Sequence, residues 1–113
     1  MRLAALWVYL ATLAAAVIFA APARPSSTKT ALVICDVFSD KYCGQALRVG
    51  YCESGLRTTA RNGQYLGIFQ MGRAERRRYG HGSTARIQAR AAYRYFVASG
   101  RDWSPWSCRW AAP

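Results

Sequence analysis

The stretch Gly50–Gly72, GYCESGLRTTARNGQYLGIFQMG, joins an apolar helical pattern to a glycine-broken aromatic segment and sets a carboxylate, Glu53, at the join. The residues leading into it read as a helix from Asp40 to Glu53. Ser39 is a good N-cap, Asp40 falls in the first turn, and Tyr42, Ala46, Val49 and Glu53 recur at steps of four, three and four. Cys43, Leu47, Gly50 and Tyr51 form the adjacent stripe, and Gly55 stops the helix. Beyond it, Thr58 to Gly63 is polar, with Asn62-Gly63 a strong turn signal. Gln64 to Met71 is a short strand or an extended segment that ends at Gly72. Glu53 therefore sits at a helix end on the apolar side.

Working outward, Ala31 to Val37 (ALVICDV) is apolar and short, and periodicity leaves it as either a strand or a helical turn. Arg73 to Tyr79 is a brief charged helix broken by Gly80-His81-Gly82. Ser83 or Thr84 caps a further helix running to Ser99, with Gly100 just past its end. Ile87, Ala91, Tyr95 and Ala98 line one face of it, widened by Ala92 and Phe96. Arg86, Arg90 and Arg94 lie together on another face and repel one another unless an anion is near, so a solvated face is the simplest account. Pro105 bars a regular helix in the tail, Trp103 to Trp110.

The chain has 113 residues, enough for one small domain. Arg2 followed by an apolar run of about 19 residues and Ala21-Pro22-Ala23 predicts a signal peptide over 1–23, although a run of that length also approaches a bilayer span. Residues 24–31 read as a linker, rich in Ser and Thr. The predicted domain is 32–113, a core small enough to need staples. Cys35, Cys43, Cys52 and Cys108 supply an even count in an exported chain. Of the three pairings, Cys35–Cys43 with Cys52–Cys108 is favoured, because closing a loop of about 57 residues contributes ~4 kcal/mol in the chain-entropy treatment. A zinc site fits poorly: no Cys-x2-Cys pair occurs and His81 is the lone histidine. No metal and no cofactor is expected.

Sixteen basic residues, fourteen of them arginine, stand against five acidic ones, for a formal charge of +11. Such a surface suits anionic polymers. Export argues against nucleic acid, and no common nucleic-acid motif is present. Contact with a membrane is expected only through an uncleaved leader.

Burial raises the pKa of a carboxyl by up to several units. A guanidinium ~10 Å away counters with only about 0.4 kcal/mol in water, or ~1.7 kcal/mol at an effective dielectric of 20. Burial should therefore win if Glu53 points inward over a cleft, leaving a protonated group able to act as a general acid. Cys52, rotated about one hundred degrees around the helix, would fix that helix end through its disulfide. The plainer account is that Glu53 ends a helix and pairs with Arg57.

ESGL at Glu53–Leu56, then Ala60, then GIFQ at Gly67–Gln70, resembles the lysozyme-like lytic transglycosylases. ALRVGYCESGL and WSPWSC look most like their small actinobacterial members, the domains akin to resuscitation-promoting factors. The resemblance runs from about Val37 to Trp110. It implies a mainly α, lysozyme-like (α+β) domain with a short extended or hairpin segment that acts on peptidoglycan glycan strands; the leader predicts that it is secreted, and a monomer is expected. It makes Glu53 the catalytic acid, with Ser54 orienting the turn beneath it. Gly67 would let backbone approach a sugar closely, Gln70 would line the cleft, and Tyr95 would sit on the helix behind it. The Ala-Tyr-Asn motif of larger members has no counterpart here.

Glycosidases ordinarily use two carboxylates. Asp36, Asp40, Glu75 and Asp102 are the other candidates, and none stands at a recognisable spacing from Glu53. A lone acid is consistent with transglycosylation, in which the sugar's own 6-hydroxyl replaces water. Tyr65, Phe69, Trp103 and Trp106 are candidate sugar platforms, the tryptophans better suited to packing around Cys108. Two rival readings are a cationic wall-binding module without turnover, drawn to anionic wall polymers, and a membrane-active cationic protein.

Overall fold

A computed structural model describes residues 26–113. The predicted signal peptide, and with it the choice between cleavage and anchoring, lies outside the described residues. α1 spans Ser26–Ser54 and is interrupted at Ser39, whose φ of 61° and ψ of 169° are not helical. Two short strands follow, β1 (Arg61–Asn62) and β2 (Tyr65–Leu66), then α2 (Arg73–Tyr79), α3 (Ala85–Ala98) and a 3-10 turn at Arg109–Ala111. None of these helices is long and apolar enough to cross a membrane.

The break at Ser39 divides α1 into two helical arms. Helix resumes at Asp40, as its cap signal predicts. The segment before it, 26–38, is helical too, so Ala31–Val37 is not a strand and the expected linker at 24–31 is helical from Ser26. Its order comes from a stripe at steps of four: Thr30, Ile34 and Phe38 are all buried. Thr30 belongs to a run read as polar, which hid the first member of the stripe.

Eight residues of continuous helix would separate Cys35 from Cys43 by about 12 Å. Their Cα atoms lie 4.6 Å apart and the cysteines are bonded, so the chain bends sharply between them at Ser39. The second disulfide joins Cys52 to Cys108, leaving no free cysteine among the described residues. Both are the favoured pairings. The protein is thus a small, mainly helical domain stapled twice, and its disulfides fit an oxidising environment.

The core is aromatic. The Trp103 ring lies 4.6 Å from Phe96, 5.5 Å from Phe38 and 6.1 Å from Phe69, centroid to centroid. Ile34, Ala46, Val49, Ile68 and Ala92 fill the space around them. On α3 the buried set is Gln88, Ala89, Ala91, Ala92 and Phe96, whereas Ile87 and Ala98, predicted to face inward, are exposed. The inward face is set by Gln88, a polar residue that an apolar count does not register. Arg86 pairs with Asp36 at 2.8 Å and ties α3 to the first arm of α1.

The hairpin forms at the Asn62-Gly63 signal, pairing Arg61 with Leu66 and Asn62 with Tyr65. Leu66 then bridges back to Met71, closing a tight loop over residues 67–70. α2 ends at Gly80 in the left-handed conformation, and Thr84 caps α3 by accepting from the Ile87 N–H.

The two staples close loops of unlike length, with sequence separations of 8 and 56. Chain entropy then assigns about 2.5 kcal/mol to the first and about 4 kcal/mol to the second. Paired serine variants at Cys52 and Cys108 should lose more stability in urea unfolding than paired variants at Cys35 and Cys43. Equal losses would show that loop closure does not set the difference.

Candidate functional site

Four parts of the chain enclose a polar cleft of about 290 Å³: the end of α1, the segment 64–75, α3 and the tail at 105–107. Glu53 reaches it from the last turn of α1. Its side chain is half-buried, and Oε1 accepts a hydrogen bond from the Cys108 N–H at 2.9 Å. Burial pushes its pKa above the ordinary 4.5, against the pull of that N–H bond. The C-terminal end of a helix is also an unfavourable place for a negative charge. Among the described residues, no guanidinium pairs with it. Arg57 turns away and donates to the Ser54 carbonyl at 2.9 Å, so the simple helix-end pairing of Glu53 with Arg57 does not form.

Ser54 is buried and works as a strut. Its hydroxyl donates to the Ile68 carbonyl at 2.7 Å and accepts from the Arg57 N–H at 3.1 Å. The residue after the acid is thereby tied to the 67–70 loop. Gln70 holds the same loop from within, donating from Nε2 to the carbonyls of Ala60 and Gly67 at 3.0 and 2.9 Å, and it also borders the cleft.

Gly67 does not do what the resemblance implies. It is buried, with φ +84°, and an added Cβ would lie 2.4 Å from Gln88 Oε1. The close approach that requires glycine is to an amide of α3. Gln88, 1% exposed, accepts from the Ile68 N–H at 2.9 Å and donates to the carbonyls of Thr58 and Gly82, both at 3.0 Å. It joins three loops through one side chain. Nothing in the helical pattern marked it; a glutamine on the apolar side of α3 was the available signal.

Tyr65, 46% exposed, forms part of the cleft rim. Tyr95 lines the cleft and packs against Tyr79 and Trp106, with centroids 5.1 and 4.8 Å away. Trp106 is largely buried, anchored by Nε1–H to the Phe69 carbonyl at 3.0 Å, and lines the cleft. Phe69 and Trp103 are core residues and drop out as sugar platforms. Glu75 also enters the cleft, where sequence spacing alone did not place it. Asp36 and Asp102 are engaged elsewhere, with Arg86 and with the Ser104 N–H respectively.

Glu53, Tyr65, Gln70 and Tyr95 are therefore brought together, while Ser54 and Gly67 lie beneath them. Among the described residues, no three His, Cys, Asp or Glu side chains converge as a metal-binding group. The fold and site define a small disulfide-stapled helical domain with an acidic cleft. No protein-family model, curated protein or solved structure matches the chain.

A raised carboxyl pKa has a direct consequence for stability. The native state holds the Glu53 proton more tightly than the unfolded chain does, so ionisation disfavours folding above the native pKa and has no such effect well below 4.5. Glu53→Gln keeps an acceptor for the Cys108 N–H and removes the charge. Its melting temperature should exceed wild type at neutral pH, and the gap should shrink as pH falls through the carboxylate range. A gap that is absent at pH 7, or that widens in acid, would contradict this.

Proposed function

We propose that the domain is a secreted enzyme that cleaves peptidoglycan glycan strands, a lytic transglycosylase or muralytic glycosidase with Glu53 as its acid. The observation that carries the reading is the state of Glu53: a carboxyl with a raised pKa, unpaired with any cation among the described residues, on the wall of a polar cleft. A neutral carboxyl there can donate its proton to a glycosidic oxygen, which makes that oxygen a competent leaving group. Its hydrogen bond to Cys108 leaves Oε2 as the natural site of the proton.

The substrate class follows from the ES…GxFQ resemblance: the bond between N-acetylmuramic acid and N-acetylglucosamine. Tyr65 on the rim is an exposed aromatic ring available to a sugar, and Gln64 and Gln70 border the same space. The formal charge of +11 favours residence on anionic walls. Oxidised cysteines are in keeping with export.

Purified peptidoglycan digested by wild type and by Glu53→Gln, with products weighed by mass spectrometry, tests the reading. Wild type should release muropeptides, and the variant should be slower by about 100-fold or more, the scale of general-acid catalysis. Equal wall binding with no products from either protein would mark a binding module instead. Leakage of anionic vesicles that is indifferent to Glu53 would mark a membrane-active protein.

A further inference from the structure

The cleft holds a second carboxylate that the proposed chemistry has not used. Glu75 rises from the first turn of α2 and lines the same space as Glu53. Arg73, Arg76, Arg77 and Arg78 flank it on its own helix, yet the single ion pair among the described residues is Arg86–Asp36. Arg76 spends its guanidinium on backbone, donating to the carbonyls of Gln64 and Met71.

The backbone ahead of α2 is shaped to seat this carboxylate. Gly72 has φ −69° and ψ 166°, an extended conformation open to any residue, so its dihedrals do not require glycine. Space does. A Cβ on Gly72 would lie 2.6 Å from Glu75 Oε2, 3.4 Å from Gln64 Oε1 and 3.5 Å from a ring carbon of Tyr65. The carboxylate occupies the room a side chain would take, beside two residues of the cleft wall. Tyr95, which lines the same cleft, registers it: burial chiefly, and then the Glu75 charge, raise the phenol pKa.

We propose that Glu75 is the second catalytic carboxylate of this cleft, the general base that activates water, and that cleavage is therefore hydrolytic. This rests on the reading of Glu53 as the acid. Glu75 takes a proton from water while the water oxygen bonds to the anomeric carbon. The bond from that carbon to the glycosidic oxygen breaks, and its electron pair stays on the oxygen, which takes the Glu53 proton. One water is consumed and a reducing end forms. Glu53 ends ionised and Glu75 protonated, and the proton returns through solvent. The titratable groups facing Glu75 are Glu53 from α1, Tyr65 from the hairpin and Tyr95 from α3, besides the arginines of α2; the tail at 105–107 brings none.

The test digests purified peptidoglycan with full-chain wild type, Glu75→Gln, Glu75→Ala, Gly72→Ala and Glu53→Gln. Circular dichroism and melting temperature confirm that each is folded. Wild type should give reducing-end muropeptides, heavier by one water than anhydro products. Glu75→Gln should form them about 100-fold more slowly or worse, on the scale of general-base catalysis. Gly72→Ala, which displaces the carboxylate without removing it, should fall in the same direction. Azide, a nucleophile that needs no base, should restore cleavage to Glu75→Ala as a glycosyl azide, a rescue that a merely structural role would not allow. Anhydro products from wild type, or a wild-type rate in Glu75→Gln, would overturn the assignment while leaving Glu53 in place. A wild-type rate in Glu53→Gln would instead overturn the reading beneath it.

Discussion

One hydrogen bond organises the cleft: the Cys108 N–H donated to Glu53 Oε1. It spans 55 residues of sequence and brings the tail to the end of α1. The carboxyl it holds is half-buried at the negative end of a helix, a position that disfavours its charge. Without a fixed donor, the side chain would gain by rotating into water. The donor is fixed three times over. Cys108 is bonded to Cys52, Trp106 is pinned through its indole to the Phe69 carbonyl, and Arg48 donates to the carbonyls of Ala111 and Ala112. The disulfide adjoins the acid on α1 and supplies its partner from the tail, so a single covalent link sets both halves of the contact.

The opposite side of the acid is held by polar rather than apolar means. Ser54 reaches the Ile68 carbonyl, and the Ile68 N–H is taken by Gln88. That residue's two backbone polar groups are thus matched by one side chain from α1 and one from α3, as burial demands. The 67–70 loop is short, contains two residues with positive φ, and would have little reason to keep its shape without these bonds. Gly67 and Gln88 form a matched pair: the left-handed backbone at Gly67 favours glycine, and the missing Cβ leaves the space that the Gln88 amide fills.

This division explains what could be read in advance. Features governed by local physics were legible: the Asn62-Gly63 turn, the Thr84 cap, the restart of helix at Asp40, and the disulfide partners weighted by loop length. Glu53 stood out because a carboxylate on an apolar stripe is locally anomalous. Features governed by contacts distant in sequence were not. Thr30 looks like linker until Ile34 and Phe38 are seen beneath the same core, and Ile87 looks inward-facing until Gln88 claims the loops. Gly67 could be recognised as special, but the neighbour it accommodates is 21 positions away (Gln88 Oε1). Glu75 was concealed by its surroundings, since four arginines within three residues of it suggest a paired surface charge. The absence of any positive φ at Gly72 is a structural clue with no counterpart in the sequence.

Charge is segregated accordingly. Five acidic side chains face sixteen basic ones in the chain, and two of the five line a single cleft. Cations spread over the exterior act at range, and salt weakens them over about 10 Å at 0.1 M. The carboxylates act at contact distance, partly sheltered from water, where screening is weaker. On the proposed reading, attraction to an anionic polymer and chemistry upon it would be carried by different groups under different dielectric conditions. An arginine brought into the cleft would strengthen the first and defeat the second, because it would hold Glu53 ionised. The path of Arg57 to the Ser54 carbonyl, and of Arg76 to the carbonyls of Gln64 and Met71, is what keeps a strongly basic chain from neutralising its own acid.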